Sequence, residues 1–555
     1  MWLTIPNAFL ITALLLGLLP SRAPAQARPD QVARVDSIFA PWSKPTTPGC
    51  VLGVARRGTT VLVRAYGMAN LEYDVPLTPE SISESGSVAK QFTAAAIVLL
   101  AQDGKLFLED DIRKYQPEVP SFGEGVSITI RHLLNHTSGL RDQWGLLSLV
   151  GSPPGSAVHT LDLILDLVSR QKELNFRPGD EYLYSNTGYA LLGIIVRRVT
   201  GQSLAEFSTT RLFQPAGMSR TQWRDDFARV VKGRATAYSG QGDGPFRSDM
   251  PFTMVYGNGG LLSTAGDWLR WNDYLDQNHP LGEALETRGR LNSGRTISYA
   301  LGLTVTRYRG ELEISHGGAT AGYRTFLARY PTQRLSLALL CNLGSINPDQ
   351  LAHRVADVFL EASQADRADA ADGADGSLPA LPAAELERRT GAYRDTVSDA
   401  IVRVEARDGR LTAFLGGTTQ VMTRVAPNGY RAGEAPYTFS FEGPASGPVA
   451  RLYQVDREGD STVYLRSEPP RDSRLEDYAG TFYSEELDAV YTVETRDGAL
   501  WLRRRPDAAI RLSPAYADGF QAQGRGLRFR RDPSGRVTGF EVFAGRVRHL
   551  KFTRR

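Results

Sequence analysis

Thiols are nearly absent from this chain. Its 555 residues include two cysteines, Cys50 and Cys341, in neither CxxC nor CxxH spacing, so no zinc or iron–sulfur centre can be built from thiolates. An excess of charge of one sign is missing too. There are 64 Lys plus Arg against 61 Asp plus Glu, a net of +3, too little for the phosphate-neutralising field that nucleic-acid binding requires. Lysine is scarce, with seven residues at positions 44, 90, 105, 114, 172, 232 and 551. A lysine kept in so arginine-rich a chain is notable, because an ammonium can lose its proton in a protein and a guanidinium cannot. No G-x-S-x-G elbow, P-loop or G-x-G-x-x-G after a strand is present, which removes an α/β-hydrolase elbow and nucleotide cofactors from consideration. His132 and His136 have i, i+4 spacing but lack the Glu of H-E-x-x-H and a third ligand. They are expected to be structural, and no metal or other cofactor is expected.

What is present is a globular composition, 42% hydrophobic and 23% charged, in a chain long enough for about three domains. The uncharged run 9–19 (FLITALLLGLL), broken by Pro20 and followed by A-x-A steps at 23–25 and 25–27, has the form of a signal-peptide core and is short of the roughly 20 residues of a spanning helix. Residues 1–27 are therefore expected to be a signal peptide, and the mature protein to be periplasmic or secreted. The alternative, an uncleaved anchor, rests on an n-region without a basic side chain.

From residue 50 a strand pair (CVLGVAR, TVLVRAYG) turns through Arg57-Gly58. Helical spacing follows at 88–102, 161–172, 187–199 and 264–275, then strands between 300 and 342 and a helix at 349–361. This order predicts an α+β domain over 28–363, an antiparallel five-stranded sheet flanked by helices. An Ala/Asp/Pro-rich stretch at 364–383 reads as a linker. Beyond it the chain repeats: Gly391-Ala-Tyr393 matches Gly480-Thr-Phe482, and VEARDGRL at 404 matches VETRDGAL at 493, both at an offset of 89 residues. A duplication follows, with two small antiparallel β-barrels at 384–470 and 471–555. The arginines at 525, 528, 530, 531, 536, 546 and 548 partly alternate with apolar residues and read as a solvated strand face.

The chemistry centres on Ser87-Val88-Ala89-Lys90, which opens a helix after a serine-rich loop. Positions i and i+3 lie on one face about 5–6 Å apart, so the amine can reach the hydroxyl. A desolvated lysine can take the proton that makes serine a nucleophile. A second S-x-x-K, Ser169 to Lys172, lies at the polar end of an amphipathic helix and is read as coincidence. Tyr184-Ser185-Asn186 and His316-Gly317-Gly318 follow in order. At these residues the chain resembles the serine β-lactamase and penicillin-binding-protein superfamily, with S-x-x-K, Y-x-N and K/H-x-G in sequence. Through TIRHLLNHTSGL at 129 and YGNGGLLSTAGDW at 256, it is most similar to the class C β-lactamase, D-aminopeptidase and esterase branch.

The resemblance implies Ser87 as the acylated nucleophile and Lys90 as its proton acceptor or electrostatic partner. Tyr184 would be a phenolate-type base and later acid, and Asn186 would hold Lys90 and the substrate amide. It also implies an oxyanion hole from the backbone N–H groups of Ser87 and Ala319, with Gly317 and Gly318 letting substrate approach the strand edge. Two cations, Lys90 and a protonated His316, are expected to lower the Tyr184 pKa. In the D-aminopeptidase branch two barrels follow the catalytic domain, and a loop of the last one narrows the site. Cys50 and Cys341 fall on neighbouring strands of the family's sheet, and two buried thiols are expected in preference to a disulfide. His316, where β-lactamases usually carry Lys, favours a D-aminopeptidase-like hydrolase acting on small amides and peptides, including peptidoglycan fragments. The alternatives are a carboxylesterase, a D-Ala-D-Ala carboxypeptidase or β-lactamase, and a non-catalytic ligand- or cell-wall-binding protein.

Overall fold

The computed structural model describes residues 26–240, 245–361, 378, 381–415, 418–433, 437–444, 446–456, 461–468, 474–504 and 509–555. The expected signal peptide, apart from residues 26 and 27, and most of the expected linker lie outside the described residues.

The first domain is built on an antiparallel sheet of six strands, not five. In spatial order these are Thr304–Tyr308, Glu311–Thr320, Tyr323–Tyr330, Leu335–Cys341, Cys50–Arg56 and Thr59–Tyr66. The strand Thr304–Tyr308, within the stretch already read as strands from residue 300, pairs along the outer edge of Glu311–Thr320 and makes the count six. Strand alternation sorts the core cleanly. Leu52, Val54, Leu337 and Leu339 join the cluster under helices Pro29–Phe39 and Pro348–Phe359. Val51, Ala55, Ala338 and Leu340 face the other way, into the larger cluster of helices Lys90–Gln102, Asn186–Thr200 and Ala265–Gln277.

Cys50 and Cys341 stand directly opposite one another in the central pair, and they form a disulfide, S–S 2.08 Å. The expectation of two thiols is thereby corrected: the register brings the two side chains to the same face of adjacent strands.

Two closed eight-stranded barrels follow, from Gly391–Asp395 to Ser461–Ser467 and from Gly480–Ser484 to Val547–Arg554. The repeated V-E-x-R-D-G motif is the same hairpin in each. Its turn residues have positive φ at Asp408 and Gly409 in one and at Asp497 and Gly498 in the other, the twist that a two-residue hairpin turn requires.

The second barrel is docked on the catalytic domain. Leu146 and Leu149 of helix Gln143–Leu149 pack into the barrel's own apolar cluster, and Tyr491 donates its hydroxyl to the Leu149 carbonyl at 2.6 Å. Beside them Arg141, wholly buried, pairs with Glu486 at 2.6 Å and donates to the carbonyls of Arg548 and His549.

Candidate active site

The S-x-x-K segment is not one continuous α-helix. Gly86–Ala89 is a 3-10 turn that runs into helix Lys90–Gln102, and the turn still carries the Lys90 amine to 3.1 Å from Ser87 Oγ. Gly86 allows this. Its φ is +50°, and a Cβ there would lie 2.5 Å from the Ala319 nitrogen, so the nucleophile's turn and the end of strand Glu311–Thr320 touch backbone to backbone. The turn that carries Ser87 is thus set directly against the Ala319 backbone. Gly318 answers to the same contact: a Cβ there would be 2.0 Å from the Ser85 carbonyl oxygen. Its bare backbone accommodates the protein's own turn, whereas the sequence suggested approach of substrate.

Lys90 is fully buried and has three partners: Ser87 Oγ, Asn186 Oδ1 at 2.9 Å and the Asn258 carbonyl at 2.6 Å. The amine donates to all three oxygens, so each of its three donors has an acceptor. Burial, and then the nearby Arg546 charge, push the Lys90 pKa well below its ordinary value. Asn186, at the start of helix Asn186–Thr200, is oriented by Asp142. One carboxylate oxygen accepts from both its backbone N–H, at 2.7 Å, and its Nδ2, at 2.9 Å, which leaves Oδ1 facing Lys90. Asp142 also caps helix Gln143–Leu149 through the Trp144 N–H.

Tyr184 lies with the Lys90 amine 4.7 Å from its ring centroid. Its buried hydroxyl makes no hydrogen bond of good geometry among the described residues, and burial pushes its pKa upward, an effect the nearby Ser87 hydroxyl partly offsets. The phenol therefore holds its proton at neutral pH, and the expected phenolate is corrected.

The expected cation at His316 is corrected as well. Burial, then Lys90, bring its pKa down to about 3. The imidazole is neutral, 3.0 Å from Tyr299 O–H through Nε2. The second cation beside Tyr184 is Arg546, whose guanidinium carbon lies 4.5 Å from the ring centroid. It comes from the hairpin between Val537–Ala544 and Val547–Arg554 of the last barrel, a loop whose place in the chain the sequence did not give. The arginine stripe consequently divides. Arg546 points into the site, Arg548 pairs with Glu181 at 2.9 Å, and the solvated-face reading fails at both.

His136 is not the partner of His132 on a helix face, because helix Ile130–Leu134 ends first and His136 has φ +58°. Its ring packs 4.1 Å from that of Tyr184, and its Nδ1 accepts from the Ser185 N–H at 3.1 Å, so it holds the Tyr184 segment in place. The second S-x-x-K is remote from this constellation: Lys172 is exposed and pairs with Glu485. Ser87, Tyr184, Asn186, His316, Gly317, Gly318, Ala319 and Arg546 all line a cleft of about 900 Å³. Sequence reasoning missed Asp142, Arg546 and the Asn258 carbonyl. Asp142 and Asn258 lie inside or two residues beyond the motif segments, while Arg546 was hidden in a basic stripe.

A serine hydroxyl 3.1 Å from a buried amine in a large cleft is an arrangement that serine hydrolases require. The chain belongs to the Beta-lactamase family, whose model matches residues 35–361. It is similar to the D-aminopeptidase of Brucella anthropi, 26% identical over 539 residues that cover 91% of this chain and 95% of the relative. It is also similar to penicillin-binding protein 4* of Bacillus subtilis (strain 168), 33% identical over 53% of this chain and 68% of that protein. Among solved structures, the octameric penicillin-binding protein homologue from Pyrococcus abyssi shares the fold, with a TM-score of 0.53 at 20% identity over 86% of this chain and 98% of that one.

Proposed function

We propose that this protein is an exported D-aminopeptidase-like hydrolase, cleaving small peptides or amides that carry a D-amino acid through an acyl-enzyme on Ser87. The observation that carries the reading is the extent of the similarity to the D-aminopeptidase of Brucella anthropi, which runs through both barrels to 95% of that relative's length. The disulfide Cys50–Cys341 supports export, since such bonds persist in oxidising compartments.

In the proposed reaction neutral Lys90 accepts the Ser87 proton as Oγ attacks the scissile carbonyl, and the oxyanion is received by the Ser87 and Ala319 N–H groups. The Tyr184 phenol, protonated at rest, donates to the departing nitrogen and is reprotonated from Lys90. In deacylation the same groups act in reverse on a water molecule. Asn186, fixed by Asp142, holds the Lys90 amine, and His316 contributes a neutral polar wall through Tyr299.

The test labels mature protein with a fluorophosphonate, with Ser87→Ala as control, and then compares D-alanine p-nitroanilide, its L-enantiomer and a short-chain p-nitrophenyl ester. Ser87-dependent labelling with turnover of the D-anilide is expected. Turnover of the ester alone would move the assignment to an esterase, and no labelling would favour a binding protein. Amino-terminal sequencing of the protein from the periplasm or medium is expected to begin near Arg28.

A further inference from the structure

One guanidinium lining the cleft is only loosely engaged. Of the cleft's cations, Arg224 is committed to Glu84 and to the Thr253 carbonyl, Arg324 donates to the carbonyls of Ala321 and Tyr323, Lys90 is buried among its three acceptors, and His316 is neutral. Arg546 differs. Its side chain is 46% exposed within the cleft, its one ion pair is a long 3.9 Å contact to an Asp142 oxygen already occupied by Asn186, and its guanidinium donates no hydrogen bond among the described residues.

The position of Arg546 matters as much as its freedom. It lies in the cleft over the ring of Tyr184, the group that, in the reaction proposed above, meets whatever departs from the acyl carbon. An arginine donates bidentately to a carboxylate more strongly than a neutral donor does.

We infer that Arg546 forms a subsite for an anionic leaving group, above all the α-carboxylate of a short peptide, which places the free carboxyl terminus of a D-amino-acid dipeptide against the second barrel. The inference rests on the leaving-group role given to Tyr184 above. It makes the last barrel part of the specificity machinery and favours short peptides with a free carboxyl end over their amides. It also supplies, from a different domain, the cation that His316 does not provide.

The experiment compares kcat/KM for D-alanyl-D-alanine and D-alanyl-D-alaninamide, which share the scissile bond and the acyl group. The acid is expected to be preferred about 10-fold or more, and the preference to shrink as salt is raised. In Arg546→Gln the acid-to-amide ratio is expected to fall to within about 2-fold of unity, and Arg546→Lys to restore part of it. Because any influence of Arg546 on Tyr184 or Lys90 acts on both substrates, the ratio isolates the carboxylate contact. Equal rates in the wild type, or a ratio unchanged in Arg546→Gln, would overturn the inference. If neither dipeptide is cleaved the D-aminopeptidase reading fails instead. The same ratio is then measured with 3-carboxyphenyl acetate and 3-carbamoylphenyl acetate, which need no D-amino acid, and the same outcomes decide.

Discussion

The Lys90 amine is wholly buried, and the sign of its titration follows from its neighbours. Burial and the Arg546 charge disfavour the ammonium, so the base-competent neutral amine grows as pH rises, and kcat/KM is expected to climb with pH through the Lys90 pKa and then level off. Removing the positive neighbour in Arg546→Gln raises that pKa, so the limb moves to higher pH. His316, held near 3, stays neutral across pH 5 to 8, and His316→Gln is expected to leave the midpoint where it is; pH–rate profiles of the three proteins check both statements. Lys90→Arg places a permanent charge there and cannot act as a base, and a loss of kcat of about 10²–10⁴-fold is expected, with Ser87 labelling slowed in step. Asp142→Ala frees the Asn186 amide to turn and removes a helix cap, so kcat is expected to fall by more than KM rises, with about 1 kcal/mol lost from stability, read by thermal denaturation.

At the scale of elements, the site depends on a turn meeting a strand. At Gly86 a methyl group would force both a φ of +50° that a side chain resists and a 2.5 Å contact with backbone. Gly86→Ala is therefore expected to separate the Ser87 and Ala319 N–H groups and to lower acylation by about 10²-fold or more, the range for loss of an oxyanion donor. Circular dichroism should be nearly unchanged. Much of this geometry was legible in the chain itself. Period-2 runs gave the sheet strands, and the Asp-Gly repeats gave the hairpins of both barrels. The three motifs named the side chains that surround Ser87 because each is set by local backbone. The disulfide was less legible, since it depends on register between strands far apart in sequence. The Cys50–Cys341 bond closes a loop of 291 residues, and breaking it is expected to cost about 2–4 kcal/mol, seen as a lower Tm in reductant and in Cys50→Ala/Cys341→Ala.

For the whole molecule, barrel and active site are tied together at two consecutive residues. Arg141 is the buried anchor of the second barrel, and Asp142 orients Asn186 and faces Arg546 across 3.9 Å. This coupling could not be seen in the sequence, because Arg141 and Glu486 are 345 residues apart and a charge pair carries no local pattern. A buried ion pair left without one partner costs about 3–5 kcal/mol, and here the cost falls on the domain interface. Glu486→Gln should therefore loosen the second barrel, withdraw Arg546 from the cleft and disturb Asp142 at the same time. Expected are a lowered kcat, a smaller preference for carboxylate-bearing substrates, and faster proteolysis near the barrel hairpin, measured by kinetics on the dipeptide pair and by limited digestion. Loss of the carboxylate preference with an intact digestion pattern would mean that the anchor sets the position of Arg546 without the whole barrel coming loose. Normal kinetics with rapid digestion would mean that the catalytic domain keeps its site without the barrel.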